Sequence, residues 1–469
     1  MKLALFVLIA LPFMAAAICW VVKVRFARFL LFVVAMAEII LTAAMWQTPA
    51  PSLGHFFGID ALTLLCLSLI ILVFAAASVY LVSHLRHEEK NLNRGMLDGV
   101  VFTNTPETRL IAFYFLAVGF LICAMLASTL PIIWLSLQSS ACVFAYLFYF
   151  RRYSKSLGLA WRFMTFIAIS GLLSFIATVT VMVAIKHQDS GLAKVAFLFA
   201  FLGYGFLGAM APMHFWVAEA HHESLPSVGV MLSCGLTLCG LLAMLRFLQT
   251  LFALGIGDWM KSFCIYAGFF SMFCGTLQLL QQKSYLRALA YSTVAQNGMI
   301  LFGIGVGRTA TFAALLHMVN HTILKSMLIL LAGNFLLAYG SRTISHIRGA
   351  AQVIPISGVF WLISLTALAG IPPFGTFMSQ FMLLRAIVEG PIWQALFFLG
   401  ITILSFIGLF RLALPMSLGT SDLSWQREPR GRLGPILFLA LCALTFGFFV
   451  PKALEILLER SAHLLGGQG

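Results

Sequence analysis

Apolar residues run along this chain in blocks long enough to cross a bilayer, and polar residues collect in the short stretches between them. Fourteen blocks stand out, near 3–22, 28–46, 60–83, 109–127, 129–150, 160–185, 193–215, 227–248, 259–281, 288–306, 310–336, 352–388, 392–414 and 433–456. At about 1.5 Å per helical residue, each is roughly long enough for a hydrocarbon core of about 30 Å. Two blocks are interrupted. The seventh meets Pro212 inside "GYGFLGAMAPMHFWVAEAHHESLPSVG", residues 203–229, and continues through His214, Glu219, His221 and His222. The twelfth is too long for one plain span and is cut by Gly370-Ile371-Pro372-Pro373.

The two interruptions lie five spans apart. Helices four to eight and nine to thirteen therefore read as two copies of one unit. Five is odd, so the copies are expected to be inverted relative to each other. Broken helices in inverted repeats free backbone groups at mid-membrane depth, which only a polar or hydrated interior tolerates. The alternative is that both prolines only kink their helices. The expected fold class is an all-α polytopic membrane protein of about fourteen transmembrane helices, with two inverted five-helix repeats and broken helices seven and twelve. Its expected divisions are 1–108 (helices one to three), 109–250 (first repeat), 251–415 (second repeat) and 416–469 (the last helix).

Composition agrees. Of 469 residues, 61% are hydrophobic and 9% charged, with a mean hydropathy of +1.01, whereas a soluble domain carries roughly 25% charged residues. The first block runs on through "FMAAAICWVVKVR" without a clear A-x-A cleavage site and reads as a retained span. Nine cysteines are scattered through apolar segments with no C-x-x-C pair, which favours small buried hydrophobes over metal or disulfide roles. No phosphate loop, dinucleotide fingerprint or haem-attachment motif is present, so no cofactor is expected and an enzyme acting alone is disfavoured.

The formal charge of +14 changes the picture only through its distribution. If the N-terminus is outside, the odd-numbered loops carry most of the cations, among them Lys23, Arg25 and Arg28; Arg86, Lys90 and Arg94; Arg151, Arg152 and Lys155; and Arg427, Arg430 and Arg432. The even-numbered loops carry little more than Lys186, Lys261 and Arg308. That bias marks topology rather than nucleic-acid binding, and it places both termini outside. The longest polar stretch, 84–108, reads as a cytoplasmic loop with a solvated charge run.

Several segments carry a resemblance. "APMHFWVAEAHHE" resembles the A-P-M-H-x-W-L-P-D-A-H-x-E segment of the antiporter-like proton-channel subunits of respiratory complex I, membrane-bound hydrogenases and Mrp-type antiporters. "KSYLRALAYSTVAQNGMILFGIG" (283–305), "HMVNHTILKSMLILLAGN" (317–334), "LAGIPPFGTFMSQFMLLRA" (368–386) and "GIDALTLLCLSLI" (58–70) are similar to further segments of that family, in the family's order. The A-P-M-H and P-P-F-G forms look most like hydrogenase-4 component F. The resemblance implies a fourteen-helix fold, membrane subunits of the same complex as partners, and a bacterial cytoplasmic membrane. It also implies a soluble redox module as the driver of transport, or a zinc-containing module where the subunit type serves inorganic-carbon uptake.

By the same resemblance, four channel positions are degenerate here. The family's span-five glutamate falls on Gln138, its broken-helix lysine on Leu207, a lysine of some members on Leu238, and its span-twelve acid or lysine on Gln380. Gln keeps the shape and hydrogen bonding of Glu but cannot ionise, and Leu can do neither. The span-eleven row His317, His321, Lys325 survives. Its i, i+4, i+8 spacing puts the three on one helix face, where imidazoles and an amine alternate between donor and acceptor states. With His214, Glu219 and His221 they are the proton-path candidates. Two readings stay open: a relay through the row, or a polar row that bonds Gln380 and broken-helix carbonyls and only holds the halves together. For the His214–His222 cluster a channel mouth or helix-end network is favoured over a metal site. Glu38, alone in span two, matches no motif; it either faces a neighbouring subunit or is protonated at a lipid-facing edge.

Overall fold

In the computed structural model almost every apolar block becomes helix. The structure describes residues 2–47, 52–90, 94–97, 100–152, 154–307 and 309–466, without the side chains of 88–103; Arg308 and the side chains of Lys90 and Arg94, counted above, lie outside the described residues. In chain order the helices are α1 (Lys2–Cys19), α2 (Val24–Trp46), α3 (Ala61–Lys90), α4 (Glu107–Leu126), α5 (Leu130–Phe148), α6 (Ser154–His187), α7 (Ser190–Leu207) and α8 (Val217–Glu223). Next come α9 (Pro226–Met231), α10 (Thr237–Leu251), α11 (Gly257–Gln281), α12 (Tyr285–Val306), α13 (Thr309–Tyr339) and α14 (Ala350–Val353). The chain ends with α15 (Pro355–Leu368), α16 (Gly375–Val388), α17 (Ile392–Ser417), α18 (Arg430–Phe448) and α19 (Lys452–Leu464). A π-helical turn over Leu232–Leu236 joins α9 to α10 in one span. Among the described residues thirteen helical segments are long and apolar enough to cross a membrane. The pair α15–α16, each half too short alone, is the fourteenth. The protein is an all-α, multi-pass integral membrane protein.

Two expectations are corrected. The last block does not run to 456: α18 stops at Phe448, and α19 begins after Pro451 as a separate helix. Proline lacks the N–H that would continue α18, and "KALEILLERSAHL" mixes apolar and charged residues with the period of a helix that has one buried face. The 84–108 stretch is not all loop. α3 runs on to Lys90, and the strands Arg94–Leu97 and Val100–Asn104 join Arg151–Arg152 in a small sheet in which Thr103 pairs with Arg152.

The chain divides into two compact units. Unit 1 comprises Met1–Met96, Val100–Gly208 and Glu223–Gly257; unit 2 comprises Leu97–Gly99, Ala209–His222 and Asp258–Gly469. The division cuts span seven at its break, so the residues after Gly208 pack with unit 2.

In unit 1, α6 lies along α7, α4 along α5, and α1 and α2 along α3 and α4. Ser170 Oγ donates to Gly203 O at 2.8 Å across the α6–α7 seam. Ionic pairs mark the helix ends. Arg28 Nη2 and Nε hold the Glu107 carboxylate at 2.7–2.9 Å, a forked geometry that joins α2 to the first turn of α4. Arg246, near the end of α10, reaches Asp60 just ahead of α3 at 2.5 and 2.8 Å. Asp60 Oδ1 also accepts from Thr63 N at 2.8 Å, and the pair lines a cleft of about 360 Å³. Burial pushes the Asp60 carboxyl up, but the bonds and charge of Arg246, with the Thr63 bonds, outweigh it and hold the group below its ordinary value.

In unit 2, α13 is the central rod: nearly every residue from Ala310 to Leu336 is buried, against α12, α15, α16, α18 and α19. α11 and α12 approach closely because glycines line the seam. A Cβ on Gly298 would lie 2.7 Å from Met272 N, and one on Gly275 2.5 Å from Ala295 N. Small residues permit such backbone contact between membrane helices. Glu428 caps α15, accepting from Ile356 N at 2.9 Å and Ser357 N at 3.0 Å.

Both breaks have local causes. α7 stops at Leu207, followed by Gly208, Ala209 at φ +55° and the Ala211–Pro212 bond. Proline removes a donor, and the residue before it is pushed out of the helical region. α15 stops at Leu368, followed by Gly370 at φ +81° and two successive prolines without N–H groups. Glycine is favoured at 370 because its φ is left-handed; a Cβ there would also push the end of the Gln380 side chain aside.

Two outcomes follow for purified protein in detergent. Gly298→Leu should lower thermal stability by about 1–3 kcal/mol, because the α11–α12 seam has no room for the side chain. Gly434→Ala, where a Cβ meets nothing within 4 Å, should be neutral or slightly stabilising. Asp60→Asn should lower the melting temperature at neutral pH. Because the folded Asp60 pKa is lowered, that advantage of the parent is present above the ordinary carboxylate range, about 3.9, and is lost as pH falls through the lower folded value. Melting curves of the two proteins should therefore converge in acid.

Candidate functional site

The site lies in unit 2, where the row on α13 faces α12, α16 and the segment from the span-seven break. His317 and Lys325 are fully buried, and His321 is nearly so. A helix buried on all sides has no water with which to satisfy polar side chains, so each must find a partner on a neighbouring helix. His317 Nδ1 pairs with Ser379 Oγ on α16 at 3.0 Å, and its Nε2 pairs with Gln296 Oε1 on α12 at 2.6 Å. The Gln296 oxygen only accepts, so Nε2 carries the proton in that bond. Lys325 Nζ donates to Ser292 Oγ at 2.7 Å and to the carbonyl of Leu289.

His321 stands between them. Its ring lies 6.3 Å from the ring of His317, nearly parallel to it, and its Nε2 has no hydrogen-bond partner. The row therefore consists of two tied ends and one ring nitrogen left open. Beside it, Gln296, Thr276, Gln380 and Ser405 help line a cavity of about 10 Å³, about enough for one water molecule. Gln296 thus stands between His317 and a mostly apolar-lined space about the size of one water molecule.

The span-seven break brings its own residues to this face. Ala211 N, freed by the break, donates to Ser271 Oγ on α11 at 3.1 Å. His214 Nε2 pairs with Gln278 Oε1 at 2.7 Å. His221 Nδ1 donates to the Val217 carbonyl at 2.9 Å and so carries a proton, while Nε2 is without a hydrogen-bond partner. His221 and Lys325 are close enough to interact electrostatically. Glu219 instead pairs with Arg287 at 2.9 Å, both partly exposed. His214, Glu219 and His221 thus go to three different partners, and the described residues contain no cluster of three or more metal-ligating side chains. Pro212, Pro372 and Pro373 sit in the breaks themselves.

The degenerate positions fall as follows. Gln380, on α16, lies against Gly370 and lines the small cavity; the α16 partner of His317 is Ser379, not Gln380. In unit 1, half-buried Gln138 donates from Nε2 to Ser174 Oγ on α6 at 3.3 Å, and its Oε1 has no partner. Leu207 ends α7 and Leu238 lies in α10, both buried.

Sequence reading missed Ser292, Gln296, Ser379, Gln278 and Arg287. A signal was present for two of them: Ser292 and Gln296 are four apart on α12, so they share one face. Ser379 has no such signal, since its role comes from the α13–α16 packing.

With the geometry in place, comparison with known proteins is informative. Residues 107–408 match the family described as NADH:quinone oxidoreductase/Mrp antiporter, transmembrane region. A hydrogenase-4 component F homolog of Methylacidiphilum infernorum is 31% identical over 262 residues, 54% of this chain and 52% of that protein. NADH-quinone oxidoreductase subunit N 2 of Chloroherpeton thalassium is 28% identical over 302 residues, 60% of this chain and 58% of that protein. The chain thus spans a little over half the length of these curated relatives. A chain of the Mrp complex from Dietzia sp. DQ12-45-1b superposes with a TM-score of 0.85 at 18% identity, covering 100% of this chain and 98% of that one. A chain of respiratory complex I from Thermus thermophilus gives 0.80 at 20%, covering 99% and 100%. These structural matches establish the fold, and the family match over most of the repeats establishes membership: the chain belongs to the NADH:quinone oxidoreductase/Mrp antiporter membrane family.

Proposed function

We propose that the chain is a membrane subunit of a complex I-like or membrane-bound hydrogenase-like respiratory complex, and that it moves protons through unit 2 only. The observation that carries the reading is the buried row on α13. Ionisable groups inside a membrane are expensive and are kept where they conduct or bind. Here two histidines and a lysine are kept together, with an open nitrogen on His321 and a water-sized cavity at the far side of Gln296. His317 and His321 would pass the proton by turning between tautomers, and Lys325 by releasing and regaining its third proton. Unit 1 lacks the equivalent: Gln138 and Leu207 cannot gain or lose charge, so no coupled half-channel of the family type operates there.

The driving partner in this reading is a soluble redox module bound to other membrane subunits of the complex, and the ion is the proton. Both termini lie outside a bacterial cytoplasmic membrane, as the loop charges imply. A zinc-containing module, as in inorganic-carbon uptake, is the alternative partner; the module that co-purifies with the chain separates the two. A non-pumping scaffold is favoured by one observation: both His317 nitrogens and the Lys325 amine already have protein partners, as a static network would.

Proton uptake by vesicles holding the whole complex tests the reading. Lys325→Met keeps the length of the side chain and removes its charge; uptake should collapse to the level of empty vesicles while the complex still assembles. Leu207→Met should leave uptake unchanged. Full uptake in the Lys325 variant would leave the scaffold as the role of this chain.

A further inference from the structure

Unit 1 holds a carboxyl that the repeats do not account for. Glu38 sits in the middle of α2, with Arg25 and Arg28 toward one end of that helix and Trp46 at the other. It does not face lipid. The lipid-side positions of α2 are Phe29, Val33, Met36 and Ile40, all exposed, whereas Glu38 belongs to the stripe Arg28, Leu31, Ala35, Glu38, Thr42, Met45, which is buried. Its side chain has no exposure, and neither carboxyl oxygen has a hydrogen-bond partner.

Three more polar groups share this property. Thr42 Oγ1 on α2, Ser78 Oγ on α3 and Tyr114 OH on α4 are buried without a hydrogen-bond partner, and α2, α3 and α4 pack on one another. Two cross-links fix their depths. Trp46 Nε1 donates to Ser68 Oγ at 2.9 Å. From that level Glu38 lies about 12 Å down α2 and Ser78 about 15 Å down α3, at 1.5 Å per residue. From the Arg28–Glu107 pair, Glu38 lies about 15 Å up α2 and Tyr114 about 10 Å up α4. Glu38 and Ser78 therefore lie near one depth, with Tyr114 about one turn toward the Arg28–Glu107 end and Thr42 about one turn toward Trp46.

Buried polar groups normally have partners. Four within about two turns on three adjoining helices, none of them hydrogen-bonded within the protein, describe a site that bonds something else. Among the described side chains no cation faces it. The helices packed against α2 carry their described charged groups and histidines at their ends: Lys2 on α1, His84, Arg86 and His87 on α3, Glu107 and Arg109 on α4; Cys66 and Tyr80 on α3 and Tyr114 on α4 are titratable but neutral in their ordinary state. An unpaired carboxylate at this depth would bear the full cost of leaving water, whereas the neutral acid bears far less and supplies a donor to its three neighbours.

We propose that Glu38 is a proton-binding site of unit 1, which holds a proton at rest and exchanges it with water along the α2–α3–α4 seam. The seam is polar toward both ends. Ser78 leads, about 9 Å along α3, to buried His84 and then to the Arg28–Glu107 pair. Thr42 leads to Trp46 and Ser68 at the other end. Hydroxyls and an imidazole each donate and accept, so they relay a proton without carrying a permanent charge. The site is separate from the α13 row and stands whether or not that row conducts.

Infrared spectroscopy on the full chain in lipid vesicles tests this. A protonated carboxyl gives a carbonyl stretch that moves on deuteration. The band should be present at neutral pH, vanish in Glu38→Gln, move rather than vanish in Glu38→Asp, and shift when the vesicles are transferred to heavy water. Ser78→Ala and Tyr114→Phe should slow that shift several-fold and leave the band in place. Dicyclohexylcarbodiimide, which attacks protonated carboxyls in apolar surroundings, should label Glu38 whether sodium is present or not. An absent band, a band that does not respond to heavy water, or an exchange rate untouched by both seam variants overturns the proposal. Protection from the label by sodium also overturns it, in favour of a cation site. The wild-type spectra and the two seam variants decide the matter even if Glu38→Gln fails to fold.

Discussion

Inside a bilayer no water satisfies a polar group, and every feature of this protein answers to that constraint. Unbroken helices satisfy their own backbones, which is why the chain is almost entirely helical. The two breaks are the exceptions, and each is repaired locally. Ala211 N finds Ser271 on α11. Around the second break, Ala369 N and Gly370 N turn back to Leu365 and Ala367, and Thr376 Oγ1 bonds the Ala367 carbonyl. The donors are side chains and turns of the protein itself, so the breaks exist only where helices surround them.

The same rule sorts the side chains. Charged residues at helix ends pair across short distances: Arg28 with Glu107, Arg246 with Asp60, Arg287 with Glu219. In unit 2 the polar row on α13 is tied to α12 and α16 through neutral partners, Ser292, Gln296 and Ser379. A neutral partner fixes position without fixing charge, which a carboxylate in the same place would do. In unit 1 the position of the family's glutamate is Gln138, and it bonds Ser174 on the adjacent helix.

Much was legible in advance. The span count, the two broken helices and the family follow from long apolar runs, from Pro212 and Pro372-Pro373, and from segments such as "APMHFWVAEAHHE". The row His317, His321, Lys325 was legible from the family resemblance, and its spacing put the three on one face because four residues are close to one helical turn. The separate helix α19 and the strands near Arg151 were not, because short amphipathic or extended segments give weak signals beside thirteen long apolar ones. Glu428 as the cap of α15 was invisible too, since it lies seventy-one residues downstream of the serine whose N–H it accepts.

What the sequence alone determined is therefore the class of the molecule: apolar length sets spans and proline sets breaks. What only the tertiary structure decided is pairing. Nothing in the order of residues says that Gln296 and Ser379 will bracket His317, or that Glu38 turns inward to a fully buried position. A helix fixes which residues share a face, but which neighbour that face meets depends on how separate helices pack. In a chain whose helices are apolar nearly all round, hydrophobicity does not choose that neighbour. Close glycine seams and a few polar contacts do, and these exist only once the helices are side by side.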